Sequence, residues 1–333
     1  MTRIRSSLQG LSLLVFAIFT VGASASAAEV ALSAVTALPA QHDLSDSFLK
    51  LFVAKVNATG KGVIQIDYKG GPEVIPRNKA AQSVQRGAID MLHTPAAYHV
   101  GITPESPALM ATNLTPPEIR DNGGFDVISD VWKKKLNAKI VAWGESGAQF
   151  HLYTVREPQM RDGKLDLTGF KMRSTGAYRP LLQALGASPI EMDATDVQTG
   201  LERGTVDGFG WPTVGLVSEG LHRAVKYRID PPFYHLANLV LVNEDKWNGL
   251  PKAAQDVLRK VGAEYELSSA KRMQDMASAD EVAILKEGVK IVKLQGGAAD
   301  AYLKAAYGAA WQAIEKRLDA GEVKVLRSKL LKE

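Results

Sequence analysis

Cysteine is absent from all 333 residues. Its absence excludes a disulfide scaffold, a thiolate nucleophile, a thiolate metal site and a lipid anchor on a mature N-terminal cysteine. It does not fix the compartment. A strong excess of one charge is missing as well: Lys+Arg 40 against Asp+Glu 36 leaves +4, too balanced for a nucleic-acid footprint. After the first segment no apolar run is long enough to span a bilayer. Catalytic spacings are missing too. His42, His93, His99, His151, His222 and His235 form no H-E-x-x-H or comparable metal pattern, and neither a G-x-S-x-G elbow nor a phosphate-cradling glycine loop occurs. His93 and His99 flank one loop, but lone histidines are more often packing or surface residues. No enzymatic activity, metal or cofactor is expected.

What is present reads as an exported globular chain. With 46% hydrophobic and 23% charged positions the composition is that of an ordinary soluble protein. A single core rarely grows past about 250–300 residues, so the length suits two lobes. Arg3 and Arg5 precede an apolar stretch from Leu11 to Val21, followed by Ala23-Ser24-Ala25-Ser26-Ala27-Ala28. A basic start, a short apolar run and a small-residue exit describe a secretory signal peptide, cleaved after Ala27 or Ala28. The run is shorter than the roughly 20 residues a membrane anchor needs. Residues 1–28 are therefore assigned to the signal peptide and the mature chain to the periplasm.

The mature chain alternates strands and helices. Glu29 to Val35 is apolar on alternate positions, and Phe48, Leu51, Phe52 and Val56 recur at helical spacing after Asp43 or Ser45 as a possible cap. Val63 to Tyr68 is a second strand, Arg77 to Arg86 a helix, and Ile89 to Leu92 a short buried strand. Such alternation implies a parallel sheet wrapped by helices. One unit occurs twice: Val84-Gln85-Arg86-Gly87-Ala88-Ile89-Asp90 is echoed by Leu201-Glu202-Arg203-Gly204-Thr205-Val206-Asp207. In each a glycine suits the left-handed helix cap. Two similar lobes enclose a cleft, and clefts between lobes are favoured ligand sites. From Pro251 helix formers run to about Glu287, giving about 55 Å of helix, longer than a lobe. This helix at 251–287 must bend or brace both lobes. Ile291 to Leu294 reads as a strand and Ala298 to Leu318 as a terminal helix.

The residues richest in chemistry are Leu167-Thr168-Gly169-Phe170-Lys171-Met172-Arg173-Ser174-Thr175. Arg173 lies near the C-terminal end of a strand, beyond which open α/β sheets bind ligands. Its planar fork matches a carboxylate bidentately; the ordinary alternative is a surface ion pair. Gly169 to Arg173, Leu185-Gly186-Ala187-Ser188-Pro189-Ile190-Glu191-Met192, and Val197 through Gly208 together resemble the central signature of the DctP-type solute receptors, the periplasmic binding subunits of TRAP transporters. Arg86 to Met91 and Trp247-Asn248-Gly249-Leu250-Pro251 fall in family order as well.

The resemblance implies a two-lobed α/β periplasmic-binding-protein fold, type II-like, whose lobes close on an organic acid, with Arg173 clamping its carboxylate. Lobe I is expected at 29–149, completed by about 237–270; lobe II at 150–236, completed by part of about 271–295; a helical segment at 296–333 ends the chain. Trp211 stands where many relatives carry a polar ligand contact, Gln149-Phe150-His151 lacks a second ligand arginine, and Tyr98 stands where sugar-acid receptors keep an arginine. The acidic residue that some relatives use for a cation is also missing from Gly208-Phe209-Gly210-Trp211-Pro212.

One clear arginine suits a monocarboxylate. Trp211, Phe209, Tyr98, Phe150 and Tyr234 are candidates for an apolar wall, with tyrosine hydroxyls and His151 able to bond an oxo or hydroxy group. Each aromatic has core packing as its alternative. Tyr178 and Arg179 follow Arg173 closely, Arg179 being either a second site charge or a solvated helix residue. An aromatic or branched 2-oxo or 2-hydroxy acid is the expected ligand; pyruvate-sized acids follow if the rings pack inward. The expected partners are the TRAP membrane subunits, to which a monomeric receptor delivers its ligand. Presentation to a sensor protein is the alternative.

Overall fold

The structure is a computed structural model that describes residues 29–332. The signal-peptide assignment at 1–28 lies outside the described residues. In chain order the strands are β1 (Val30–Thr36), β2 (Ile64–Gly70), β3 (Met91–Pro95), β4 (Ala138–Gly144), β5 (Gln149–Thr154), β6 (Gln159–Arg161), β7 (Lys164–Asp166), β8 (Lys171–Ser174), β9 (Ser188–Glu191), β10 (Gly208–Pro212), β11 (Tyr227–His235), β12 (Asn238–Asn243) and β13 (Lys290–Lys293). They form two sheets, ordered β2-β1-β3-β12-β4 and β13-β11-β5-β10-β8-β9, with β6 and β7 as a separate hairpin. The first sheet centres lobe I and the second lobe II. Both mix parallel and antiparallel pairs, where alternation alone implied a parallel sheet: β1 runs parallel to β2 and β3, but β12 runs antiparallel to β3 and β4. Likewise β8 is parallel to β9 and β10, while β5 is antiparallel to β10 and β11.

The echoed sequence unit has the same job in each sheet. Gly87 and Gly204 both take left-handed conformations, φ 71° and 66°, after the helices Arg77–Gln85 and Val197–Glu202. The aspartate that follows then accepts from a neighbouring strand. Asp90 Oδ2 accepts the Ser33 N–H at 2.8 Å, and Asp207 Oδ2 accepts the Lys171 N–H at 2.8 Å. Each carboxylate thus pins the helix exit to the adjoining parallel strand, Asp90 to the middle of β1 and Asp207 to the start of β8.

Three of the segments that join the lobes precede β13. Residues 145–148 carry the chain from β4 to β5, and Leu236-Ala237 return it from β11 to β12. Gly147 in the first crossing lies so close to the long helix that an added Cβ would sit 1.9 Å from the Ala270 carbonyl oxygen, so only glycine fits. That long helix, Lys252–Lys286, is the third connection. Its Leu258, Val261 and Tyr265 join the lobe I core with Val141 and Ala142, while Ile284 joins the lobe II core with Phe209 and Val289. At about 1.5 Å per residue its 35 residues extend about 52 Å, enough to brace both sheets.

Two local expectations need correction. The helix that opens at Asp43 is capped by His42, whose Nδ1 accepts the Leu44 N–H; it then runs through a π-helical turn at Phe48–Val53. The C-terminal segment is two helices, Gly297–Glu315 and Ala320–Leu330. The break comes from Asp319, which caps the second helix in a reciprocal box with Glu322.

Candidate ligand-binding site

The site is built where strands of the second sheet end. Arg173 on β8 is 3% exposed. Its Nε donates to the Met192 carbonyl at 3.0 Å and its Nη1 to the Tyr178 hydroxyl at 2.9 Å. Tyr178 in turn donates to the Gly210 carbonyl at 3.1 Å. Gly210 makes room for this, since an added Cβ would sit 2.9 Å from the Tyr178 ring. Burial pushes the Tyr178 hydroxyl up from its ordinary value, so it stays a donor at neutral pH. The guanidinium is therefore aimed by two neutral oxygens, and among the described residues no carboxylate comes within ion-pair distance of it. The Trp211 ring stands 5.4 Å from Arg173 Cζ.

These groups face a cavity of about 50 Å³ between the lobes. Lobe II contributes Phe150, Arg173, Thr175, Tyr178, Ala194 and Trp211, and lobe I contributes Leu38, His42, Leu44, Ala97 and Tyr98. Leu236 lies at the crossing between them. The lobes are in contact around the mouth: Arg77 pairs with Asp193, and Ser218 Oγ donates to Asp43 Oδ2 at 2.6 Å. A further donor, Trp211 Nε1, is buried without a partner among the described residues.

Five of the residues singled out in the sequence, Arg173, Trp211, Tyr98, Phe150 and Tyr178, thus come together around one cavity. Four do not. Phe209 shares a face of β10 with Trp211 but lies one two-residue step further back, with ring centroids 5.5 Å from Tyr153 and 5.9 Å from Trp211. His151 pairs in register with Trp211, yet its Nδ1 is 3.0 Å from both the Ile229 carbonyl and Asp230 Oδ1. Tyr234 donates to the Ala306 carbonyl at 2.7 Å and packs on Phe233 and Tyr307. Arg179 opens the helix Arg179–Ala184 and does not line the cavity.

Sequence reasoning missed His42 and Arg77. His42 was visible only as a residue beside a helix start, and burial lowers its pKa to about 4. Arg77 lies over the Tyr98 ring, its Cζ 4.6 Å from the centroid, and lines a chamber of about 400 Å³. That outer chamber shares Leu38, Tyr98 and Ala194 with the inner cavity.

Removing a guanidinium from water costs several kcal/mol even after relaxation, and neutral oxygens offset only part of that. A cation held this way between two lobes makes sense when its anion arrives from solution. The fold and site together define a solute-binding protein that closes on a small ligand. The comparisons agree with that class. The chain belongs to the bacterial extracellular solute-binding protein family 7 (DctP), whose family model matches residues 35–317, and as a member it is a binding protein, not an enzyme. A monocarboxylate 2-oxoacid-binding periplasmic protein from Nostoc is 25% identical over 234 residues. That alignment spans 66% of this chain and 62% of the relative. Among solved structures, a TRAP periplasmic solute-binding protein from Desulfovibrio salexigens with bound orotic acid superposes with a TM-score of 0.77 at 19% identity, over 90% of this chain and 97% of that one. A marine-metagenome TRAP solute-binding protein specific for aromatic acid ligands gives 0.74 at 22% identity, covering 90% and 98%.

Proposed function

We propose that this protein is the periplasmic receptor of a TRAP transporter and binds a small, singly charged 2-oxo or 2-hydroxy acid for delivery to the membrane subunits. The carrying observation is Arg173, buried and aimed but without a counter-ion among the described residues. A ligand carboxylate completes it, and closure of the lobes excludes water from the pair. Charge-assisted hydrogen bonds of this kind are roughly twice as strong as neutral ones.

Size and charge narrow the class. The inner cavity is small, about 50 Å³, which favours ligands from pyruvate to a short branched acid. Among the described residues no second cation lines that cavity apart from the option of protonating His42, which burial opposes. An aromatic acid is the second reading, favoured by Trp211, Tyr98 and Phe150 in the wall; it requires the cavity to expand.

The test is a ligand panel on the mature protein, read by thermal shift and calorimetry. Ligands that bind only the native form raise stability by RT ln(1 + [L]/Kd). Pyruvate, lactate, 4-methyl-2-oxopentanoate and benzoylformate are compared with succinate, sugars and cationic amines, in wild type and Trp211→Ala. Monocarboxylates should win, and Trp211→Ala should weaken them. Preference for succinate, or shifts with sugars or amines alone, would remove the monocarboxylate reading.

A further inference from the structure

The lobe I wall of the cavity carries the imidazole of His42. It is 7% exposed, and its Nδ1 accepts the backbone N–H of Leu44 at 3.2 Å. An N–H donating to Nδ1 requires that nitrogen to be unprotonated, so in the neutral ring the proton sits on Nε2. Burial, which lowers the pKa to about 4, keeps the ring neutral at ordinary pH. Helix capping thereby fixes the tautomer. The Nε2–H then has no acceptor within hydrogen-bond reach among the described residues; the approach to Glu219 Oε1 is 3.8 Å, too long to count as one. An N–H with no protein acceptor, on a residue that lines the cavity, is open to an arriving acceptor.

Resting on the carboxylate reading above, we propose that His42 Nε2–H is the residue that selects the ligand's second oxygen, donating to a neutral 2-oxo or 2-hydroxy group while Arg173 takes the carboxylate. The neighbours decide which kind of oxygen fits. Glu219 approaches from lobe II and Asp43 adjoins in sequence, so negative charge already stands beside this donor. A second carboxylate placed there meets two like charges, whereas a carbonyl or hydroxyl oxygen does not. Division of labour follows: Arg173 belongs to lobe II and His42 to lobe I, so a 2-oxo acid is held from both sides only when the lobes are closed. An acid without the second oxygen touches the lobe I donor with nothing.

The experiment compares matched acids by calorimetry at neutral pH: pyruvate against propionate, and 4-methyl-2-oxopentanoate against 4-methylpentanoate. Two variants separate the roles of His42. His42→Asn keeps a strong helix cap but is too short to present a donor to the cavity. His42→Phe keeps a ring and loses both functions. In wild type the oxo acids should bind about tenfold or more tightly than their deoxy partners, the scale of one well-made hydrogen bond. Both variants should collapse that ratio, chiefly by weakening the oxo acids. A ratio unchanged in His42→Asn overturns the proposal, as does an equal loss for both members of each pair, which is what a purely structural cap produces. If wild type binds none of these acids, the carboxylate reading itself fails and takes this proposal with it; binding with no oxo preference sinks only the proposal.

Discussion

Two arginines are buried in the second sheet, and they are partnered in opposite ways. Arg228 on β11 is 5% exposed and fully matched: its Nε and Nη2 donate to both oxygens of Asp230, at 2.9 and 3.0 Å, and Nη2 also reaches Glu281 at 2.9 Å. Arg173 on β8 is 3% exposed and, among the described residues, hydrogen-bonded only to a carbonyl and a phenol. Burial is the same; the counter-charge is not. Arg228 holds β11 to the C-terminal end of the long helix, where Glu281 lies. Arg173 lines the cavity and, among the described residues, has no carboxylate within ion-pair distance. The comparison teaches that burial alone does not tell the two apart: a buried cation matched within the chain serves structure, and one without a counter-charge there is what the proposed carboxylate site requires.

That contrast predicts a reciprocal pair of phenotypes. Arg228→Ala strands two carboxylates, one of them half-buried, and breaking such a pair typically costs about 3–5 kcal/mol of stability. Its melting temperature should fall by several degrees while the affinity for a bound acid changes little. Arg173→Ala should do the reverse. Binding should weaken by about 2–5 kcal/mol, well over tenfold, while the ligand-free protein melts no lower than wild type. Arg173→Lys should recover only part of the affinity, because an ammonium lacks the planar fork. Calorimetric titration and scanning on the same four proteins read both axes. If Arg173→Ala loses stability and keeps affinity, the assignment of the two arginines is backwards.

The same contrast explains what the sequence made legible. Glycine and aspartate at fixed offsets announced the repeated helix-to-strand turn, since a left-handed cap and a strand-pinning carboxylate are local requirements written in consecutive residues. Arg173 was legible through its place near a strand's end. The partners of a buried cation come from distant segments, however, so spacing could not separate Arg173 from an ion-paired arginine such as Arg228. Phe209 and Trp211 show a related limit. Period-two alternation puts both on one face, but only the sheet register tells which one reaches the end of the strand. His42 was hidden because an imidazole capping a helix resembles any residue before a helix, and Arg77 because its meaning lies in Tyr98 and Asp193. The split of the C-terminal helix was readable: Asp319-Ala320-Gly321-Glu322 is a capping box in plain sequence.

Histidines extend the comparison from cations that are always charged to groups that burial keeps uncharged. His42 and His99 are both pulled down to about 4, by burial above all. The folded protein holds them neutral, whereas an unfolded chain protonates them near 6.5. The unfolded state therefore binds more protons below that value. Stability is fully present above about pH 6.5 and declines as the pH falls toward 4, by up to about 1.4 kcal/mol per pH unit for each histidine. His99→Gln should flatten the decline in that window and leave the plateau at higher pH in place. Melting curves from neutral to mildly acid pH check this, and an unchanged acid limb in the variant would mean that His99 does not titrate with unfolding.

A third arginine supplies the smallest effect and tests closure itself. Arg77 precedes β3 in lobe I and Asp193 follows β9 in lobe II, so their ion pair spans the mouth of the cleft beside the outer chamber. The Asp193 side chain is 48% exposed, which places the pair in the solvent-screened class worth about 0.2–1 kcal/mol. It exists only while the lobes meet, so its loss should appear as faster ligand release and not as a lower melting temperature. Asp193→Asn is expected to weaken binding by about two- to fivefold, the size of one exposed pair. Salt supplies the control. Added salt screens exposed charges and should speed release from wild type toward the variant's rate, while the variant, with the pair already gone, responds less. Rapid-mixing release rates at low and high ionic strength distinguish the cases. If both proteins show the same salt response, the Arg77–Asp193 contact is incidental to closure, and the contacts at Asp43 and Ser218 carry the mouth alone.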